Sequence, residues 1–226
     1  MFAIKEIYTS FQGEGSKTGM PCVFVRFAGC NLWSGQEHLR EQGRGECSMW
    51  CDTDFFRGEK YDGDQLLAKI NNLTQNFKQK MVVFTGGEPA LQLKKPEAVG
   101  LIEKLLNIGW IVSIETNGTL GVDDCPVLKI LQDHKNGHIT MSPKLLKNSL
   151  DMSHIKLIKG TDLKVVCPTN LSITELEEMD FEYKYFQPMD VQDGSNGISS
   201  LQDTLFMCEK YGWRLSCQTH KLVEMK

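Results

Sequence analysis

The sequence lacks any long hydrophobic run. Its longest apolar stretches, such as Met81–Phe84 and Cys22–Val25, hold four residues, whereas a membrane-spanning helix needs roughly 20. Positive charge is not in excess either: 25 Lys and Arg against 29 Asp and Glu leave a formal net charge of -4 and a pI near 5.8. No diffuse field draws in nucleic acid or an anionic membrane, and neither is expected as a partner. An anionic substrate must be caught by local groups. There is no internal repeat, low-complexity tract or linker, and the one long polar stretch runs from Ser34 to Glu46. The opening FAIKEIYTSFQGEG has no basic start followed by an apolar run. That predicts a cytoplasmic, reducing setting, in which the 8 cysteines form no disulfide framework.

What is present suits one soluble domain over 1–226, with 41% hydrophobic and 24% charged residues. Short β-branched or aromatic runs at Cys22–Phe27, Met81–Phe84, Trp110–Ile114, His138–Met141, Leu163–Cys167, Tyr183–Phe186 and Arg214–Cys217 predict strands. Between them, helical spacing links Leu66, Leu67, Ile70, Leu73 and Phe77, then Leu101, Ile102, Leu105 and Leu106, then Leu201, Leu205 and Cys208. Pro96 marks a first turn, Gly109 and Gly212 mark helix ends, and Ser172 with Glu175 has capping-box spacing. This alternation predicts an α/β fold with a largely parallel sheet.

Polar, turn-forming groups follow the predicted strands: Gly29-Cys30, Thr85-Gly86-Gly87-Glu88-Pro89, Glu115-Thr116-Asn117-Gly118, Ser142-Pro143-Lys144, Gln187-Pro188-Met189-Asp190 and Gln218-Thr219-His220. In parallel sheets and barrels, ligands bind at the carboxyl ends of strands, so these six sets predict one shared site.

Cys30, Cys47 and Cys51 have the spacing C-x16-C-x3-C. Three thiolates are one short of the four that close an ordinary iron-sulfur cluster, which implies an iron with an open position. The same cysteines admit a Cys3His zinc site completed by His38. Cys22, Cys125, Cys167, Cys208 and Cys217 sit in or beside apolar runs and read as small buried hydrophobes. At Thr85-Gly86-Gly87-Glu88-Pro89, a Gly-Gly turn lets backbone approach a ligand closely, and Glu88 supplies an acceptor for an ammonium group.

Three cysteines together with GGEP resemble the radical S-adenosylmethionine (SAM) superfamily. The rest of the chain resembles one family within it, 7-carboxy-7-deazaguanine synthase of the queuosine and deazapurine pathway. The strings that carry the likeness run from end to end: Phe11-Gln12-Gly13-Glu14-Gly15, Val25 to Asn31, Cys51-Asp52-Thr53-Asp54, TGGEP, IETNG at 114–118, SPK at 142–144, LKVV at 163–166, QPMD at 187–190 and WRLSCQTHK at 213–221.

The resemblance implies a partial, shortened parallel β/α barrel and a homodimer. It also implies a lyase reaction that turns 6-carboxy-5,6,7,8-tetrahydropterin into 7-carboxy-7-deazaguanine with release of ammonia, using a [4Fe-4S] cluster, SAM and Mg2+, with an electron donor such as flavodoxin. Residue by residue, it gives Cys30, Cys47 and Cys51 to the cluster and the Thr53 hydroxyl to Mg2+, which prefers hard oxygen ligands. Phe11, Gln12, Gly13, Glu14, Arg26, Thr85 and His220 match positions that hold the pterin, with Lys226 supplying a C-terminal carboxylate. Trp50, Cys51, Asp52, Gly87, Glu88, Glu115, Ser142, Pro143, Lys144, Gln187, Pro188, Met189 and Asp190 match the SAM-contacting set. No side chain is assigned an acid or base role.

The sequence departs from the family at the cysteines. The usual spacing is C-x3-C-x2-C, and even members with a longer first gap close it with C-x2-C, whereas Cys47 to Cys51 is one residue longer. The insertion at about 32–46 within this loop carries Trp33, Glu37, His38, Arg40 and Arg44. A glycyl-radical activase, which shares the cluster and GGEP, and a zinc-stabilised binding domain are the alternative readings.

Overall fold

The computed structural model describes residues 1–36, 47, 51, 53–147, 151–190 and 198–225. Residues 37–46 of the insertion, His38 among them, lie outside these, as do Trp50, Asp52 and Lys226. Among the described residues, nine strands form one sheet in the order β3-β1-β2-β4-β5-β6-β7-β8-β9. Their ranges are β1 Phe2–Phe11, β2 Pro21–Phe27, β3 Glu59–Tyr61, β4 Met81–Gly86, β5 Ile111–Thr116, β6 Gly137–Met141, β7 Lys159–Cys167, β8 Asp180–Pro188 and β9 Arg214–Leu215.

From β2 to β9 every neighbouring pair is parallel, and β1 pairs antiparallel with both β2 and β3. Parallel neighbours need crossovers, which the helices provide: α1 Gly63–Leu73, α2 Ala90–Leu93, α3 Pro96–Asn107, α4 Pro126–Asp133, α5 Ile173–Glu177, α6 Ile198–Tyr211 and α7 Thr219–Leu222.

All seven predicted strands are present, with β9 shorter than expected. Local chemistry accounts for the helix ends. Pro96 occupies the first turn of α3, and Gly109 follows that helix at φ +86°, a conformation glycine adopts without steric cost. Ser172 accepts from the Glu175 N–H at 3.4 Å to start α5. Helix α1 opens on a reciprocal box between Asp62 and Gln65 and stops at Leu73, so Phe77 lies beyond it rather than on its apolar face. The expected strands and helices omit β1, β3, α2, α4 and α7.

The two faces of the sheet have different chemistry. Val82 and Phe84 of β4, with Val112 and Ile114 of β5, pack into the main core against Leu101, Ile102 and Leu105 of α3. The alternate residues Met81 and Val83 join Cys22 in a small cluster of their own on the opposite face. Further along that inner face the side chains turn polar, at Thr85, Glu115, Thr140, Lys164 and Gln187. Among the described residues, no helix is long and apolar enough to cross a membrane.

Candidate active site

The carboxyl ends of the parallel strands open into a cavity of about 620 Å3, within the usual range for a small-molecule site. All six polar sets contribute to it: Cys30 after β2, Thr85 to Gly87 at the end of β4, Glu115 to Asn117 on β5, Ser142 and Lys144 after β6, Gln187 to Asp190 on β8, and Gln218 with His220 before and within α7. Phe11, Gln12, Glu14, Arg26, Cys47, Cys51 and Thr53 complete the predicted residues that line it.

Three predicted residues shape the cavity from behind. Gly13 carries Thr219, whose N–H and hydroxyl both donate to its carbonyl at 3.1 and 2.9 Å. A Cβ on Gly13 would lie 2.1 Å from His220 Nδ1, so only glycine lets that ring sit there. Pro143 is buried beside the cavity. Glu88 is fully buried, and its carboxylate accepts from Thr116 Oγ1 at 2.7 Å, Asn117 N at 2.7 Å and Ala90 N at 2.9 Å. This corrects the expectation that the Glu88 side chain faces a ligand: it ties the β4 turn to the β5 turn. Burial pushes its carboxyl above the ordinary range, against those hydrogen bonds.

One wall is built on charge. Arg26 donates through Nε to Glu6 at 2.9 Å and through Nη2 to the Tyr8 hydroxyl at 3.1 Å. Tyr8 stacks on Phe24 with ring centroids 5.3 Å apart. At the base, Glu115 accepts from Gln12 Nε2 at 3.0 Å and Thr85 Oγ1 at 2.7 Å. On the far wall Glu14 pairs with Lys164 and accepts from Gln187 Nε2 at 3.2 Å and Gln218 Nε2 at 2.9 Å. Burial pushes the Lys164 ammonium down to about 8, and the carboxylate it touches is the group that favours its charge. At the rim Lys221 donates to Asp190 at 2.6 Å.

Under this wall lies a buried polar floor. Ser16 Oγ sits 3.0 Å from both His138 Nε2 and Asp162 Oδ2, and His138 Nδ1 is 3.0 Å from Ser113 Oγ.

The three cysteines share the cavity rather than a point. The Leu32 N–H approaches Cys30 Sγ at 3.4 Å, and burial pushes that thiol up to about 11. Cys47 is 8% exposed, and its N–H donates to Leu32 O at 3.1 Å. Cys51 Sγ lies 3.9 Å from Thr53 O. Among the described residues, no three His, Cys, Asp or Glu side chains converge as ligands of a single ion. Three cysteine sulfurs lining one cavity are donors of the kind an iron-sulfur cluster takes. Sequence reasoning missed Glu6, Tyr8, Lys164, Ser216 and Lys221. For Lys164 the signal is a lysine within the otherwise apolar run Leu163–Cys167 of a parallel strand, where both faces are ordinarily covered.

A mostly parallel sheet curved around a polar cavity, with three cysteines and a Gly-Gly turn at its strand ends, defines the partial barrel of the radical SAM type. The fold matches the crystal structure of QueE from Escherichia coli at a TM-score of 0.66, with 23% identity, over 96% of this chain and 93% of that one. No family model matches the chain. Full-length relatives do: the 7-carboxy-7-deazaguanine synthase of Burkholderia multivorans is 39% identical over 99% of each chain, and that of Bradyrhizobium diazoefficiens 35% identical over 97% of each. The synthase of Aquifex aeolicus is 33% identical over 100% of this chain and 95% of its own. The chain belongs to the 7-carboxy-7-deazaguanine synthase family.

Proposed function

We propose that this chain converts 6-carboxy-5,6,7,8-tetrahydropterin to 7-carboxy-7-deazaguanine with release of ammonia. The observation that carries the reading is convergence: Cys30, Cys47 and Cys51 open onto the same cavity as Gln12, Glu14, Arg26, Thr85 and His220. Cys30, Cys47 and Cys51 would hold a [4Fe-4S] cluster, which with bound SAM would supply one-electron chemistry. Thr53 is the residue for Mg2+ beside them.

The remaining work belongs to the protein's own groups. Arg26, already oriented by Glu6 and Tyr8, presents guanidinium N–H groups to the pterin carboxylate. Glu14 and Gln12 accept and donate along the heterocycle's polar edge, and Tyr8 with Phe24 offers an aromatic flank. Ser142, Lys144, Gln187, Pro188, Met189 and Asp190 form the strand-end wall for SAM, with Lys144 Nζ donating to Ser142 Oγ at 2.8 Å and its carbonyl held 2.8 Å from His154 Nε2. Glu88 acts through the turn it braces. A homodimer, a flavodoxin-like reductant and a cytoplasmic setting rest on the family resemblance.

The test is anaerobic reconstitution with iron and sulfide, then incubation with SAM, reductant, Mg2+ and carboxytetrahydropterin. A deazaguanine product with one equivalent of ammonia is expected. SAM cleavage without that product overturns the substrate assignment, and zinc in place of iron in anaerobically purified protein overturns the cluster.

A further inference from the structure

We infer that Lys164 is a positioning residue for pterin recognition, acting as the counter-ion that holds the Glu14 carboxylate ionised and fixed toward the cavity. The inference rests on the reading that Glu14 contacts the pterin.

The geometry is a closed ring. The Gly15 N–H donates to Ser216 Oγ at 3.2 Å, whose hydroxyl donates to Gln187 Oε1 at 3.0 Å. That fixes the Gln187 amide, so that its Nε2 donates back to Glu14 Oε1, on the residue beside Gly15. Gln218 Nε2 donates to the same oxygen, and Lys164 Nζ takes Oε2. A carboxylate offers about four acceptor positions, and three are used, leaving one on Oε2 for a single ligand N–H. The Glu14 and Lys164 side chains are 13% and 9% exposed. In so dry a place a carboxylate without its counter-charge takes up a proton and turns from pure acceptor into donor.

Other charged groups near the pair have partners of their own. Asp162, two residues earlier on β7, contacts Ser16 and His138. Glu115 is held by Gln12 and Thr85, Lys144 by Ser142, and Asp190 by Lys221, while His220 lines the cavity from α7. Lys164 is the cation in direct contact with Glu14.

The test measures binding of the product, 7-carboxy-7-deazaguanine, to reconstituted holoenzyme without reductant, by calorimetry in two buffers of different ionisation enthalpy. In Lys164→Met the affinity at neutral pH is expected to fall by about tenfold, the loss of a charge-assisted hydrogen bond, and binding is expected to release a proton that wild type does not. The affinity recovers as pH rises. Lys164→Gln gives the same proton release and serves if the methionine variant does not fold. Affinity within twofold of wild type, or a loss with no proton release and no recovery at higher pH, overturns the inference. Glu14→Gln separates the two readings: if it binds the product as wild type does, the Glu14 contact itself fails. If it weakens binding while both Lys164 variants do not, only the counter-ion role fails.

Discussion

The two faces of this sheet share a backbone and differ in what they can tolerate. Outside, Val82, Phe84, Val112 and Ile114 meet the helices in a continuous apolar core. Inside, the same strands carry Thr85, Ser113 and Glu115, with His138, Thr140, Asp162 and Lys164 on the next two, nearly all buried and tied by hydrogen bonds. The outer face holds the protein together by area removed from water. The inner face buries charge and polarity at a cost, and returns fixed donors and acceptors around a cavity. Stability belongs to the first and chemistry to the second, a division that substitutions on each side can break.

The largest expected effect lies at the cavity rim. Cys30→Ala should leave no four-iron absorbance and no turnover, yet a melting temperature of the metal-free protein equal to that of metal-free wild type. A large drop in melting temperature would show that the inner face also carries stability. Cys47→Ala sharpens the point, because of the extra residue before Cys51. Retained absorbance and turnover would mean that another residue supplies the third ligand.

Phe84→Ala is the opposite case. Phe84 is fully buried among the outer core residues, and its loss should cost about 3–5 kcal/mol through lost transfer energy and the cavity left behind. Denaturant unfolding measures that cost, while the pterin KM of the protein that remains folded in the cold should stay near wild type. A raised KM would mean that the outer core also tunes the site.

Arg26→Lys is smaller. It keeps the charge but loses the fork that Glu6 and Tyr8 orient, so the pterin KM should rise about tenfold with kcat less affected. Steady-state kinetics that show kcat falling with KM unchanged would contradict the carboxylate-binding role.

The division also explains what could be read from the sequence. Parallel strands announce themselves by short apolar runs, and their carboxyl ends by the turn residues that follow, so the seven expected strands and the six converging sets were legible. Strand β1 was not. A register irregularity between Ile4 and Glu6 sends Phe2 and Ile4 into the outer core but Glu6 and Tyr8 into the cavity, which destroys the alternation that would have marked it. Glu88 was legible as a motif residue but not in its direction, because two of its three donors, Thr116 and Asn117, come from the end of β5 and reach it only after folding. The partners of Arg26 and Glu14 escaped for the same reason: Glu14 lies 150 residues from Lys164 and 204 from Gln218.

The smallest expected effect is the one in which the two faces pull in opposite directions within a single group. The buried Lys164 has its pKa lowered to about 8, whereas in the unfolded chain a lysine titrates near 10.4. Below about 8 it is charged in both states. Between about 8 and 10.4 the folded protein has released the proton that the unfolded chain still holds, so this group's contribution to stability rises with pH across that window. Over the same window Glu14 stays ionised but loses the cation that fixes it toward the cavity, so the product affinity should fall from its neutral-pH value toward the level that Lys164→Met regains at high pH. Lys164→Arg stays charged throughout and should flatten both curves relative to wild type. Stability from denaturant melts and product affinity, each taken from pH 7 to 10 as a difference between the two proteins, must therefore move in opposite senses. If they rise or fall together, the charge on Lys164 serves the fold and not the site.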